Sequence, residues 1–348
     1  MKKLKNEKRV SIKDIAKRAN VSIATVSNVI NGKGRMSEKT IKIVKEAIKE
    51  LGYTPNLSAR NLKTNRSHLF GIIVPTVKGG KLHDNPFYWK FVSGVEVSVE
   101  NKEYQVILKG IVEEEESFSF IQERQLDGVI VLGAYDGSKT VQKIKELGIP
   151  CVFVDSYLSN SDVFQVLIDD ELGGYLATKH LIELGHEKIA LLCDDPMVSP
   201  VLRKRFEGFK RALKEANISY NDRFFIQIPI NAEGGYQGAN TVIKKLNDAT
   251  AIVTFSDITA MGVLKALKAA NVSVPKEMSV VGFDGLFFSD YLTPSLTTVY
   301  QDIEMKGKIA ADLLLRQMKG EEIEERTCIL SVQLKKGEST KGASPSVL

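Results

Sequence analysis

Cysteine is scarce in this chain, and the three that occur, Cys151, Cys193 and Cys328, are unclustered and odd in number. That pattern excludes a disulfide framework and a cysteine zinc site, and it suits a reducing cytoplasm. Histidine is almost as rare: His68, His83, His180 and His186 fall at no metal-ligand spacing, so neither a metal nor a cofactor is expected. No window approaches the roughly 18 uncharged apolar residues of a membrane span, and the cationic opening MKKLKNEKRVS leads into no apolar signal core. The reading is a cytoplasmic protein that does not engage a membrane. Also missing are a GxSxG elbow, a P-loop and a dinucleotide fingerprint; NGKGR and EGGYQG resemble phosphate loops only superficially, because they do not follow strands. The adjacent acids Asp194 and Asp195 read as the rim of a pocket rather than a hydrolytic pair, and no enzyme is expected. Finally, the polar tail over residues 336–348 lacks a leucine heptad, which argues against a tetramer built on a C-terminal helical bundle, and its composition predicts a frayed end.

What is present is a charge split. The net charge of +5 over 348 residues hides a front segment, residues 1–66, with 17 Lys/Arg against 5 Asp/Glu, which leaves the rest of the chain acidic. A uniformly basic protein would suggest solubility alone; this asymmetry points to a front module that binds a polyanion. The length allows more than one core.

Residues 11–51 read as three helices. Ser11 with Asp14 forms a capping-box-like start, followed by Ile12, Ile15, Ala16 and Ala19 at helical spacing. Ser22 caps a second helix with Val26, Val29 and Ile30 inward, ending at Asn31-Gly32. Ser37 opens a third, with Ile41, Val44, Ile48 and Leu51 as its stripe and Gly52 past its end. With Asn20-Val21 in the turn, the three make a helix-turn-helix head over residues 1–54. Pro55 then breaks the chain, and NLSARNL could form about two helical turns within a hinge and linker over residues 55–68.

From Leu69 onward the pattern changes to apolar strands (FGIIV, YQVIL, DGVIVL, PCVFV, VFQVLID, KIALLC, FFIQIPI, AIVTF, MSVVGFD) alternating with amphipathic helices. Near-continuous apolar strands between helices indicate parallel sheets covered on both faces. Their number predicts two Rossmann-like α/β lobes in a core over residues 69–335: a first lobe of about 69–168 plus 293–325 and a second of about 169–292 plus 326–335.

The second helix carries the chemistry of the front module. Ile23 and Ala24 near its start suit a thymine methyl, and Asn28, one turn on, has the donor and acceptor that match adenine in the major groove. Ser22, Thr25 and Ser27 can bond phosphate oxygens, and Lys33 and Arg35 add charge behind them. Read as an ordinary helix, the same stretch would bury Ile23 and leave Asn28 to solvent. In NLSARNL, Leu62 is the kind of apolar wedge that enters a minor groove, with Asn56, Ala59 and Arg60 beside it.

The stretches RVSIKDIAKRANVSIATVSNVINGKGRMSEKT and ELGYTPNLSARNL, followed in order by NPFYWKFVSGVE, LDGVIVL, IPCVFVD, GGYLATKHLIELGHEKIALL, SVVGFD and TPSLTTVYQD, resemble the LacI/GalR family of bacterial transcription regulators. The resemblance covers nearly all of the chain after about residue 9. It implies a DNA-binding head, a hinge helix and a two-lobed core like that of periplasmic sugar-binding proteins, acting as a homodimer on a palindromic double-stranded DNA operator. By that match Ile23, Ala24 and Asn28 take the base-reading positions and Leu62 the wedge. Members often carry Arg or His where Asn28 stands, which leaves the base preference there open. Dimer contacts are expected from core helices such as the one around FYWKFVSGVEVSV.

A ligand in such open sheets sits beyond the carboxyl ends of the strands, here between the lobes. Strand ends offer Asp155, Ser256, Asp257 and Asp284, and Arg205 lies in a nearby helix start. The resemblance places Phe87 and Tyr88 on the pocket wall and assigns effector contacts to Arg205 and Asp284. General burial habits also allow Arg205 as a surface residue, Asp284 as a helix cap and Phe87 as core; Trp89 reads as structural. Ile230 stands where purine-responsive and some galactoside-responsive relatives carry a stacking ring, and its absence weakens a nucleobase reading. VKGGKLHDN lengthens the first pocket loop. The expected function is a repressor of carbohydrate-utilisation genes switched by a sugar. The alternatives are a regulator gated by a purine-type corepressor or by a phosphocarrier protein, and a sugar-binding transport protein. The last explains neither the basic head nor the lack of a secretion signal.

Overall fold

A computed structural model describes residues 10–30, 34–53, 66–75, 85–102, 104–112, 118–246 and 248–343. The chain divides between Ser67 and His68 into two compact units. The expected NLSARNL helix, with Asn56, Ala59, Arg60 and Leu62, lies outside the described residues, as do Lys33 and the lengthened loop up to Asp84.

In the first unit α1 (Ile12–Ala19), α2 (Ile23–Ile30) and α3 (Glu38–Leu51) form the head. The Asp14 carboxylate accepts the Ser11 backbone N–H at 2.8 Å and the Ser11 hydroxyl at 2.6 Å, so the expected capping pair forms. Asn20 ends α1 in a left-handed conformation (φ 53°), and the Val21 N–H returns to the Ala16 carbonyl at 3.0 Å. The chain reverses there and restarts at once, because the Ser22 hydroxyl oxygen accepts the Thr25 N–H at 3.0 Å. Ser37 caps α3 in the same way through the Thr40 N–H at 3.2 Å, and Gly52 closes it at φ 61°. Ile15, Ala16, Ala19, Val26, Val44 and Ala47 form the buried centre, with Val29, Ile30, Ile48 and Leu51 half-buried around them. A core this small gains roughly 1.5–3 kcal/mol per large side chain. Caps worth about 1 kcal/mol each are therefore a large share of its stability.

The second unit holds two six-stranded sheets. The first contains β1 (Leu69–Pro75), β2 (Gln105–Ile111), β3 (Gly128–Leu132), β4 (Cys151–Val154), β5 (Phe164–Ile168) and β11 (Thr327–Leu330), in the order β11-β5-β4-β3-β1-β2 and wholly parallel. The second contains β6 (Ile189–Cys193), β7 (Phe225–Gln227), β8 (Ala251–Thr254), β9 (Ser279–Asp284), β10 (Thr297–Gln301) and β12 (Val332–Lys335), in the order β12-β10-β9-β8-β6-β7, with β12 antiparallel to β10. Strands β3, β6, β8 and β9 are buried along their whole length, as helix cover on both faces requires.

The helices are α4 (Pro86–Val99), α5 (Ser119–Glu123), α6 (Lys139–Leu147), α7 (Asp170–Glu183), α8 (Pro200–Glu215), α9 (Ala232–Lys245), α10 (Asp257–Ala269) and α11 (Ile303–Met318). Three pairs of them cross backbone to backbone. A Cβ on Gly174 of α7 would collide with the Arg205 carbonyl of α8, and one on Gly208 of α8 with the Glu171 carbonyl of α7. Gly94 and Gly307 do the same for α4 with α11, and Gly235 and Gly262 for α9 with α10.

Two expectations need correction. The segment 293–301 belongs to the second lobe, because β10 lies between β9 and β12; its threonine-rich TTVYQ does not announce a buried strand, yet Thr297 and Thr298 are fully buried. Conversely, β11 inside 326–335 joins the first sheet, and only Ser331 separates it from β12 in the second. The chain thus passes between lobes after β5, after β10 and at Ser331.

The tail is not frayed over its described part. Ser339 is fully buried, its carbonyl accepts the Val280 N–H at 2.8 Å and its hydroxyl oxygen accepts the Thr297 N–H at 2.8 Å. His180 reaches the Thr340 hydroxyl at 2.9 Å, and His186 joins the Thr250 hydroxyl (2.8 Å) to the Lys341 carbonyl (2.9 Å). The tail's polar composition hides this docking in the sequence, because the contact is made by hydrogen bonds from hydroxyls, imidazoles and backbone groups rather than by an apolar stripe. Removing residues 338–348 is expected to lower the unfolding free energy of the core by about 2–4 kcal/mol, at roughly 1 kcal/mol per lost buried hydrogen bond. Urea denaturation followed through Trp89 fluorescence measures it, and an unchanged midpoint would show that the tail contributes nothing.

Candidate functional site

The front face of α2 is built as the sequence indicated. Ile23 is 46% exposed, Ala24 and Asn28 are exposed, and Ser27 is half-buried, while Val26 on the opposite side is fully buried. The Ser22 and Thr25 hydroxyls stand 2.9 Å apart at the helix start. No carboxylate occupies the first turn of α2, so nothing there repels a phosphate from the positive end of the helix. Arg35 is exposed in the following turn, and Gly34 passes close to the Asn28 amide.

In the second unit, side chains from the carboxyl ends of both sheets join in one buried polar network. On the first lobe, Asp155 follows β4 with φ 52° and both of its carboxylate oxygens accept from the Lys306 ammonium of α11, at 2.8 and 2.9 Å. Lys306 is fully buried, also donates to Gln301 Oε1 at 2.7 Å, and lies 5.5 Å from the centre of the Phe87 ring. Gln301 ends β10 and donates through Nε2 to Asp284 at 2.8 Å. Asp284, at φ 111° on the end of β9, also accepts the Ser256 hydroxyl at 3.2 Å. Arg205 donates to Asp170 at 2.7 Å and to the Phe255 carbonyl at 2.6 Å, lies 3.6 Å over the Phe283 ring, and stands 4.0 Å from Asp284. The Tyr157 hydroxyl, on the first lobe, is 2.7 Å from the other Asp170 oxygen. Two polar struts therefore connect the lobes, one through Lys306 and Gln301 and one through Tyr157 and Asp170.

Electrostatics follow from burial. Asp284 is pushed up to about 6 by desolvation, against the pull of Arg205, Gln301 and Lys306. The Tyr88 hydroxyl is raised by burial and then by the charges of Asp284 and Asp155, and Phe87 meets the Tyr88 ring edge-on at 5.6 Å. Of the eight expected effector residues, the structure gathers Phe87, Tyr88, Asp155, Arg205, Ser256 and Asp284. Asp257 feels the charge of Asp284 but is enclosed: it is fully buried and its carboxylate is closed by the Thr298 hydroxyl (2.6 Å), the Leu286 N–H (2.7 Å) and the Ser289 hydroxyl (2.8 Å). It fastens the turn after β9 instead. Ile230 is half-buried beyond β7 and takes no part in the network. Arg205 is not a surface residue and Asp284 is not a helix cap; Trp89 is 53% exposed.

Comparison with known proteins places both units. Residues 11–56 match the model of the bacterial regulatory proteins of the lacI family, and residues 178–340 match a periplasmic binding protein-like domain. The ribose operon repressor of Haemophilus influenzae is 31% identical over 92% of this chain and 95% of its own length. The transcriptional repressor PurR of Vibrio vulnificus is 33% identical over 91% of this chain and 94% of its own. The chain belongs to the LacI family. Among solved structures of that family, the lac repressor dimer bound to operator and the anti-inducer ONPF has a TM-score of 0.81 at 26% identity, covering 96% of this chain and 100% of that one. The regulator CelR in complex with cellobiose has a TM-score of 0.72 at 29% identity, covering 95% and 100%. As a LacI-family member the protein is a transcriptional regulator, not an enzyme. No described helix is long and apolar enough to cross a membrane.

For a LacI-family core read from sequence, four network residues went unnoticed: Lys306, Gln301, Asp170 and Tyr157. Lys306 left one signal, a lysine on the stripe shared by Ile303, Gly307 and Ala310 of α11, where burial demands a partner. Lys306→Met is expected to destabilise the core by about 2–4 kcal/mol, because Asp155 is left desolvated without its cation. Asp155→Asn combined with Lys306→Met should recover part of that loss. Paired denaturation curves test this, and a strictly additive double variant would mean that the two groups do not interact.

Proposed function

We propose that this protein is a cytoplasmic repressor that binds a palindromic operator as a homodimer and is switched by a sugar held between the lobes of its core. The observation that carries the DNA half is the exposed face of α2: two apolar side chains and an amide, free of carboxylates, on a basic module. Such a face reads base edges while hydroxyls and cations hold phosphates. The effector half rests on carboxylates, a guanidinium and two aromatic rings converging at the strand ends, a set that bonds hydroxyls and packs on C–H surfaces. The ribose operon repressor and the cellobiose-bound regulator among its relatives support a carbohydrate. A purine effector has its own support in the similarity to PurR, but Ile230 offers no ring on which a base could stack.

Effector binding acts by preferring one arrangement of the two lobes. A tenfold preference is worth about 1.4 kcal/mol per site, and a full switch needs several times that. The struts through Lys306 and Tyr157 are the contacts that such a preference would make or break.

Two head variants test the DNA reading on an operator selected from random duplexes. Asn28→Ala is expected to cost about 1–3 kcal/mol of specific binding and to relax the preference at one base pair per half-site. Arg35→Ala should weaken all sequences alike and flatten the salt dependence by about one phosphate contact. Binding titrations at several salt concentrations measure both. Unchanged sequence preference in the Asn28 variant would remove α2 as the reading helix.

A further inference from the structure

In the buried network carboxyl groups outnumber cations, and the imbalance has a direction. Asp155 pairs with Lys306 and Asp170 with Arg205, each by direct ionic hydrogen bonds. Asp284 has no cation of its own: its partners are the Gln301 amide and the Ser256 hydroxyl, and Arg205, already committed to Asp170 and to the Phe255 carbonyl, stays 4.0 Å away. Asp257 next to it is likewise held by neutral donors only. Beyond the network, Asp194 and Asp195 follow β6 at the same edge of the second sheet. Desolvated carboxylates that outnumber cations repel a third negative charge and reward a hydrogen-bond donor or a cation.

We infer that the cleft is selective for charge: it takes neutral or amino-bearing polyhydroxy effectors, whose donors land on Asp284, and rejects phosphorylated and carboxylated ones. The inference rests on reading the cleft as the effector site. Lys306 sets the balance. Its single charge is consumed by Asp155, so it is not free to receive a phosphate, and its donor-only head turns the Gln301 amide nitrogen toward Asp284 rather than toward the cleft. A polyol, by contrast, offers hydroxyls that both donate to Asp284 and accept from Arg205, while Tyr88 and Phe87 cover its C–H face.

The titratable and charged groups that act on Asp284 or feel its charge are Arg205 of α8, Asp257 at the start of α10, Lys306 of α11 and Tyr88 of α4, and its hydrogen-bond donors are Ser256 before α10 and Gln301 of β10. Because burial raises Asp284 above its unfolded value, the stability it contributes is full below the unfolded carboxylate range near about 4 and is lost as pH climbs through about 6. His180 and His186, lowered by burial, act in the opposite sense, losing stability as pH falls. Comparison with Asp284→Asn cancels them.

Two measurements on the full-length protein decide the matter. In the first, melting temperatures of the wild type and Asp284→Asn are compared from pH 5 to 7.5 without ligand. The wild type should lose ground against the variant as pH rises; a constant or widening wild-type advantage would mean that Asp284 is already compensated, and overturns the inference. In the second, matched pairs are titrated at pH 7.5: glucose, glucosamine, glucuronate and glucose 6-phosphate; ribose and ribose 5-phosphate; cellobiose and cellobionate; hypoxanthine and its nucleotide. Within any set that binds, each anionic member should be at least about tenfold weaker than its neutral parent, equivalent to about 1.4 kcal/mol. An anionic member that binds as tightly as its parent sinks the inference. If no carbohydrate binds whatever its charge, the sugar reading fails, and the purine pair together with the pH comparison still judges the charge rule.

Discussion

The buried polar network is organised around an ammonium group that can only donate. Lys306 is fully buried, so each proton of its ammonium needs an acceptor, and that requirement orients the neighbours one after another. Asp155 turns both oxygens inward, Gln301 across the lobe boundary presents its carbonyl oxygen, and the Gln301 nitrogen is thereby aimed at Asp284 on the neighbouring strand. Orientation passes from α11 to the end of β9 through three side chains. A neutral residue of similar shape at 306 would fill the same space and fix none of these directions.

Packing delivers the second strut. Arg205 can reach Asp170 only because α7 and α8 touch backbone to backbone at Gly174 and Gly208. The Phe283 ring below the guanidinium then excludes water from one side of it. The site is therefore specified at two levels: glycines set the distance between helices, and polar side chains use that distance. The same device recurs in the other two helix pairs, where a Cβ at either glycine would meet the partner helix's backbone.

Much of this architecture is legible in the sequence, and the parts that are not share a cause. The head was readable because capping and helical periodicity are local: Ser11 with Asp14, Ser22 with Thr25 and Gly52 each declare themselves within four residues. The strands β1 to β9 were readable because continuous apolar runs mark sheets covered on both sides. Strands β10 to β12 were missed because their fitness lies in partners distant in sequence; TTVYQ is a buried strand only beside β9, and TCIL and VQLK gain their places from different sheets. Asp155, Arg205, Ser256 and Asp284 could be picked from strand ends and a helix start. Lys306 could not be matched to Asp155 across 151 positions, and nothing local separates Asp257, enclosed by three donors, from Asp284, which is not.

The single residue between β11 and β12 carries a mechanical consequence. A residue spans at most about 3.6 Å, so Ser331 cannot lengthen to let one lobe travel past the other. What it permits is torsion. The crossovers after β5 and β10 are equally short, with Asp169 before α7 and Asp302 before α11, so the three joints together resist translation of one lobe past the other and leave rotation as the freedom between them.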